Sequence, residues 1–162
     1  MSTATKPAGA AMKPAAGPIT EAQIKAFVAG WYYTLDIHAP FAEARRFLAD
    51  DGLKMTFPDG DITDMKSFGV WYTRVTNLFF DENHYVQRVV SKISGDTAVL
   101  DVLVGWQASW FEPPAAKSKR TSMDATQRWT VRRSTKNAYG LEIVTYNATV
   151  EPFKYAPGFA QL

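Results

Sequence analysis

The sequence predicts an α+β domain: three helices packed on one face of a curved, mostly antiparallel sheet, with a conical pocket between the layers. Two observations carry this expectation. Apolar residues recur at three- and four-residue steps before Asp81 and alternate with polar ones in long runs after it, so helices and strands are segregated along the chain. Aromatic residues are abundant, 5 Trp, 7 Tyr and 10 Phe in 162 residues, which is more flat amphipathic surface than a minimal core needs and suits the wall of a cavity.

The elements follow in chain order. Residues 1–18 are Ala, Pro, Gly, Lys and Thr with almost nothing to bury, and are expected to be disordered. Pro7, Lys13, Pro14 and Pro18 interrupt any apolar run that a secretory leader would need. From Thr20 a capping box, Thr20 to Gln23, opens a helix whose stripe of Ile24, Phe27, Val28, Trp31 and Leu35 carries it to about Ile37. Pro40 suits the first position of a shorter helix with Phe41, Ala44, Phe47 and Leu48 on one face and Gly52 as its stop. Leu53, Met55 and Phe57 alternate as a strand into the turn Phe57-Pro58-Asp59-Gly60. Thr63 or Asp64 then caps a third helix, with Met65, Phe68, Trp71, Tyr72, Val75, Leu78 and Phe79 at helical spacing.

Four long strands complete the domain. His84 to Ile93 and Thr97 to Trp110 flank the tight-turn signal Ser94-Gly95-Asp96, and Met123 to Arg133 and Tyr139 to Val150 form a second hairpin. The Pro- and Lys-containing stretch from Phe111 to Ser122 between them reads as a mobile loop. The domain is thus expected over residues 19–150, leaving a tail, 151–162, whose Phe153, Tyr155 and Phe159 are apolar enough to fold over the pocket mouth or a neighbouring subunit.

Composition narrows the function. A formal net charge of +2 supplies no field for nucleic acid or an anionic membrane surface, and no stretch approaches a membrane span, so a cytoplasmic protein without either partner is expected. Without cysteine there is no thiolate nucleophile and no zinc ribbon, and the two histidines lack metal-ligand spacing, so no metal is expected. Phosphate-binding glycine loops and the G-x-S-x-G elbow are absent.

A base that titrates near neutrality must be His38, His84 or a perturbed carboxylate. His84 opens the long strand after the aromatic third helix, whereas His38 lies in the break between two helices, the usual place of a solvated side chain. Asp36 meets the negative end of the first helix, a mildly unfavourable place that asks for a compensating partner, and reaching His84 would fix the tautomer of the ring. With a two-residue Gly95-Asp96 turn, His84 opposes Gln107 and shares a face with Arg88 and Asp101; Asp101 is the alternative base. The pocket lining is drawn from Tyr32, Tyr33, Phe57, Trp71, Val75, Phe79 and Trp106, with a tyrosine or Arg88 to hold an oxyanion.

The succession Trp31-Tyr32-Tyr33-Thr34-Leu35-Asp36, Phe47-Leu48-Ala49-Asp50-Asp51-Gly52, Phe57-Pro58-Asp59-Gly60 and His84 before Gly95-Asp96-Thr97-Ala98 resembles the SnoaL-like branch of the NTF2-like superfamily, over about Ile19 to Val150. That resemblance implies a cone-shaped, cystatin-like roll, commonly paired face to face as a homo-oligomer, a dimer or trimer. Enzymes of the scytalone dehydratase and lindane dehydrochlorinase type in this superfamily carry an Asp–His dyad at the positions where Asp36 and His84 fall; Arg88 stands where many relatives carry Asn. What the resemblance implies is a cofactor-independent lyase, isomerase or cyclase acting on a hydrophobic small molecule. Because the superfamily also contains members that only bind or support other subunits, the alternative is a non-catalytic binding or structural protein.

Overall fold

The computed structural model describes residues 17–162; the disorder expected for residues 1–18 falls almost wholly outside them. Helix α1 spans Glu21–Asp36, and its capping box is formed by Thr20 and Gln23, each side chain meeting the other's backbone N–H. A single helical turn, α2 (Phe41–Ala44), runs into a 3₁₀ turn at Arg45–Phe47, with Pro40 as its cap rather than its first residue. Strand β1 (Lys54–Phe57) forms a small hairpin with β2 (Gly60–Ile62), a strand too short to leave an alternation in the sequence. Helix α3 (Met65–Leu78) is capped by Asp64, whose carboxylate accepts from the Ser67 N–H and is thereby held below the ordinary carboxylate range.

The sheet is built from β3 (Phe80–Ser94), β4 (Thr97–Trp110), β5 (Lys119–Arg133), β6 (Leu141–Asn147) and β7 (Lys154–Tyr155), in the order β2-β1-β6-β5-β4-β3, with β7 on β5. All pairings are antiparallel except β1 with β6. Gly95 turns the β3–β4 hairpin at φ 58°, a left-handed conformation that a side chain would resist. The loop expected from Phe111 to Ser122 is shorter than its composition suggests. β5 begins at Lys119, and Glu112 is tied to both Lys119 Nζ (2.6 Å) and Trp110 Nε1 (3.1 Å).

Two irregularities in β3 decide which side chains face the helices. Opposite Ala108, β3 carries both Asp81 and Glu82, and between Val86 and Arg88 it carries Gln87 without a partner. The second bulge shifts the register by one residue, so His84 pairs with Trp106 and not, as expected, with Gln107. Beyond it the inward set is Val89 with Val102, which turns Arg88 and Asp101 to the outer face. Asp101 there meets Arg128 Nε at 2.8 Å. Neither residue reaches the pocket.

The inward row of β4 contributes to two apolar clusters, Ala98, Leu100, Val102 and Val104 to one and Trp106, Ala108 and Trp110 to the other. One packs α1 through Ile24, Phe27, Val28 and Trp31 against Trp129, Val131 and Ile143; the other gathers Phe79, Trp106, Trp110 and Met123 under the tail. Gly30 sits where α1 passes closest to Tyr139: an added Cβ would lie 2.4 Å from the Tyr139 hydroxyl, on a ring wedged between Phe27 and Phe47. Gly30→Ala is expected to cost about 1–3 kcal/mol by overpacking, read as a lower urea midpoint; an unchanged midpoint would show that Tyr139 swings away freely.

The tail is part of the sheet. β5 pairs with β6 as far as Arg128, and the same edge then takes Lys154 and Tyr155 opposite Asp124 and Met123. Ala156 and Ala160 N–H groups extend this ladder to the carbonyls of Ser122 and Arg120.

Candidate functional site

Between α3, the tail and the inner face of the sheet lies a cavity of about 470 Å³. That is within the range of small-molecule sites, roughly 300–1,000 Å³. Phe57, Trp71, Val75, Phe79 and Trp106 line it, together with Met123, Phe153, Tyr155 and Leu162. A shallower groove of about 540 Å³ between Asp61, Lys66 and Arg74 lies outside and does not reach His84. Tyr33 points away and is 65% exposed, because it falls on the solvent side of the α1 stripe. Tyr32 lies beneath the histidine, its ring stacked on the imidazole at 4.7 Å between centroids.

Asp36 and His84 are in contact. The Asp36 carboxylate receives the His84 backbone N–H on both oxygens, at 3.0 Å each, and lies 2.6 Å through Oδ1 from Nδ1 of the ring. These bonds supply what a carboxylate at a helix C-terminus lacks, positive hydrogen ends to offset the helix dipole. Because an ionised carboxylate only accepts, Nδ1 carries the proton in the neutral ring and Nε2 keeps its lone pair. Nε2 makes no hydrogen bond with a described residue, and His84 lines the cavity between Tyr32 and Trp106.

A second carboxylate stands beside this pair. Glu82 shares the inward face with His84, accepts from Trp106 Nε1 at 3.1 Å through Oε1, and meets His38 Nε2 at 2.9 Å through Oε2. The expectation of a solvated His38 is therefore corrected. The residue closes α1 in a Schellman motif, its own N–H bonding Leu35 and that of Ala39 bonding Thr34. It does so at φ 48°, where glycine is usual. Asp81, next to Glu82, also has φ 48°, and Arg120 Nη1 anchors its carbonyl at 3.1 Å. Two left-handed non-glycine residues thus bracket Glu82, each costing about 1–2 kcal/mol that the surrounding contacts offset. Alternation would have flagged Glu82, two residues before His84; His38 has no such signal, since its partner is remote in sequence.

Ligand atoms of Asp36, Glu82 and His84 lie within 4.8 Å of one another, a cluster the metal-ligand spacings did not reveal. Their oxygens and Nδ1 are hydrogen-bonded to each other, to Trp106 and to His38, which accounts for the cluster without a cation.

Tyrosines surround the pair. Burial, followed by the adjacent Tyr146 and Asp36, pushes the Tyr32 phenol well above its ordinary value. Burial first, then Glu82 and Glu43, pushes Tyr72, which donates to the Ala39 carbonyl, up to about 12. An unfolded tyrosine ionises near 10, so the unfolded chain gives up these protons first as pH rises. The stability Tyr72 contributes is complete below about pH 10 and is lost between roughly 10 and 12. The urea midpoint is expected to fall over that interval, and to fall less in Tyr72→Phe; equal slopes in the two proteins would remove Tyr72 as the cause.

Removing the tail strips Phe153, Tyr155 and Leu162 from the cavity wall and frees the edge of β5. Truncation after Val150 should lower the melting temperature and weaken binding of a fluorescent apolar probe by about tenfold, the equivalent of some 60 Å² of lost apolar contact; undiminished binding would place the ligand elsewhere.

No protein-family model matches the sequence, and neither does any curated protein. Solved structures do match in fold. The hexachlorocyclohexane dehydrochlorinase LinA-type3 from Novosphingobium barchaimii superposes with a TM-score of 0.66 at 14% identity, over 87% of this chain and 92% of its own. An NTF2-like superfamily protein from Salmonella enterica gives 0.61 at 12%, over 86% and 91%. The CaMKII hub of S. rosetta gives 0.61 at 12%, over 88% and 99%. At such identities the likeness establishes architecture: the chain has the NTF2-like, cystatin-like cone. Neighbours with such different names make the site's own chemistry the guide to activity.

Proposed function

We propose that this NTF2-like chain is a cofactor-independent lyase or isomerase, a class that includes cyclisation, acting on a hydrophobic small molecule. The observation that carries the reading is the 2.6 Å contact between Asp36 and Nδ1 of His84, which leaves Nε2 as the ring's free nitrogen beside an apolar cavity. Nε2 takes a proton from a carbon atom of the bound molecule, and Asp36 orients the ring and stabilises the imidazolium that forms. Tyr32, stacked on the ring, and Trp106 on its other side restrict how the imidazole can turn. The dehydrochlorinase with the same fold supports an elimination as one outcome of such a step.

The test is deuterium uptake in heavy water by neutral, mostly aromatic carbon acids, followed by proton NMR. Exchange at one carbon position that depends on His84 supports the enzyme. If such compounds bind but no exchange above the uncatalysed rate occurs in any of them, the chain is a binding protein.

A further inference from the structure

We infer that Gln127 is the substrate-contacting donor of this site, its side-chain N–H pointing at an acceptor oxygen of the ligand, which makes the ligand a neutral carbonyl compound. The assignment of the carbonyl as the reacting group rests on the proposed function above; the donor itself does not. Gln127 lies on β5 between Ala125 and Trp129 in the inward row, is buried, and lines the cavity that His84 also lines. Its Oε1 accepts from the Tyr32 hydroxyl at 2.7 Å and from Trp129 Nε1 at 2.9 Å.

An indole N–H can only donate, so the amide cannot be turned over: oxygen faces Trp129, and the NH₂ group faces away from it. That NH₂ carries two N–H groups: one has the Tyr146 hydroxyl of the same wall as its partner, and the other has no acceptor among the described residues. An amide N–H that faces the cavity without an acceptor is satisfied when a ligand oxygen takes it. The tyrosine that locks the amide is also the one stacked under His84, so donor and base are fixed relative to one another by one ring.

The chemistry then closes. His84 Nε2 removes a proton from the carbon next to the carbonyl, the C–H electron pair moves toward the carbonyl oxygen, and the enolate oxygen accepts from Gln127. In an elimination, a hydroxyl on the next carbon leaves with its bonding pair and takes the proton from the imidazolium, giving an enone and water. In an isomerisation, the imidazolium returns the proton to a different carbon.

The probes are 2-tetralone, an acidic bicyclic ketone, and tetralin, the same bicycle without oxygen. Wild type is expected to bind the ketone about tenfold more tightly than the hydrocarbon and to exchange its α-protons. Gln127→Leu should bind both equally and lose on the order of 10² in exchange rate. It also strands the Tyr32 and Trp129 donors, so Gln127→Glu is the control. A carboxylate keeps both donors satisfied and the fold intact by circular dichroism while removing the N–H, and the ketone preference should still vanish. A preference that persists in Gln127→Glu, or is absent from wild type, overturns the inference. His84→Ala should keep the preference and lose the exchange. If wild type shows the preference but no exchange, the base reading fails and Gln127 as ligand donor stands.

Discussion

His84→Ala is expected to lower the rate of proton transfer from carbon by about 10²–10⁴, with ligand affinity changed by less than about threefold. The site motivates both halves of that result. Nε2 of His84 faces the cavity without a hydrogen-bond partner among the described residues, whereas the Glu82 carboxylate on the same wall is engaged by Trp106 and His38. The apolar contacts that hold a ligand come from Trp71, Phe79, Trp106 and Phe153, which the substitution leaves in place. Added imidazole should restore part of the rate by entering the space above Tyr32. Wild-type exchange in His84→Ala would end the proposal; loss of ligand binding in parallel with rate would show instead that His84 is a wall residue.

Asp36→Asn should cost on the order of 10³ in the same rate, with little change in stability. The reasoning is one of hydrogen-bond sorting. The backbone N–H of His84 needs an acceptor, and the single amide oxygen of the new side chain would serve it, turning the amide NH₂ toward Nδ1. Nδ1 would then accept, the ring proton would move to Nε2, and the nitrogen facing the cavity would no longer be a base. Nitrogen-15 shifts of the His84 ring report this directly: Nδ1-protonated in wild type and Nε2-protonated in the variant. An unchanged tautomer with an unchanged rate would sink the assigned role of Asp36.

Much of the frame was legible in the sequence. The capping signals at Thr20 and Asp64, the Gly95-Asp96 turn and the aromatic row of α3 act within a few residues, where local hydrogen bonds and side-chain spacing decide the outcome. Asp36 and His84 stood out because a carboxylate at a helix C-terminus is unfavourable without a partner. Gln127 carried a signal that went unread, a polar side chain in an otherwise apolar inward row from Met123 to Val131.

What the sequence determined on its own, then, was the class of fold, the order of its elements and the two residues around which the proposed site is built. Tertiary structure decided the rest of the site. The extra residue at Gln87 sends Arg88 and Asp101 outward and brings His84 opposite Trp106, and no local preference announces it. A bulge changes the facing of every residue beyond it while costing the strand little, so its position is chosen by which side chains the helices and the core accept. The partnership of His38 with Glu82, and the bond that the Tyr32 hydroxyl donates to Gln127, join segments 44 and 95 residues apart. Such contacts exist only once the chain has closed, because no spacing within one element brings their partners together.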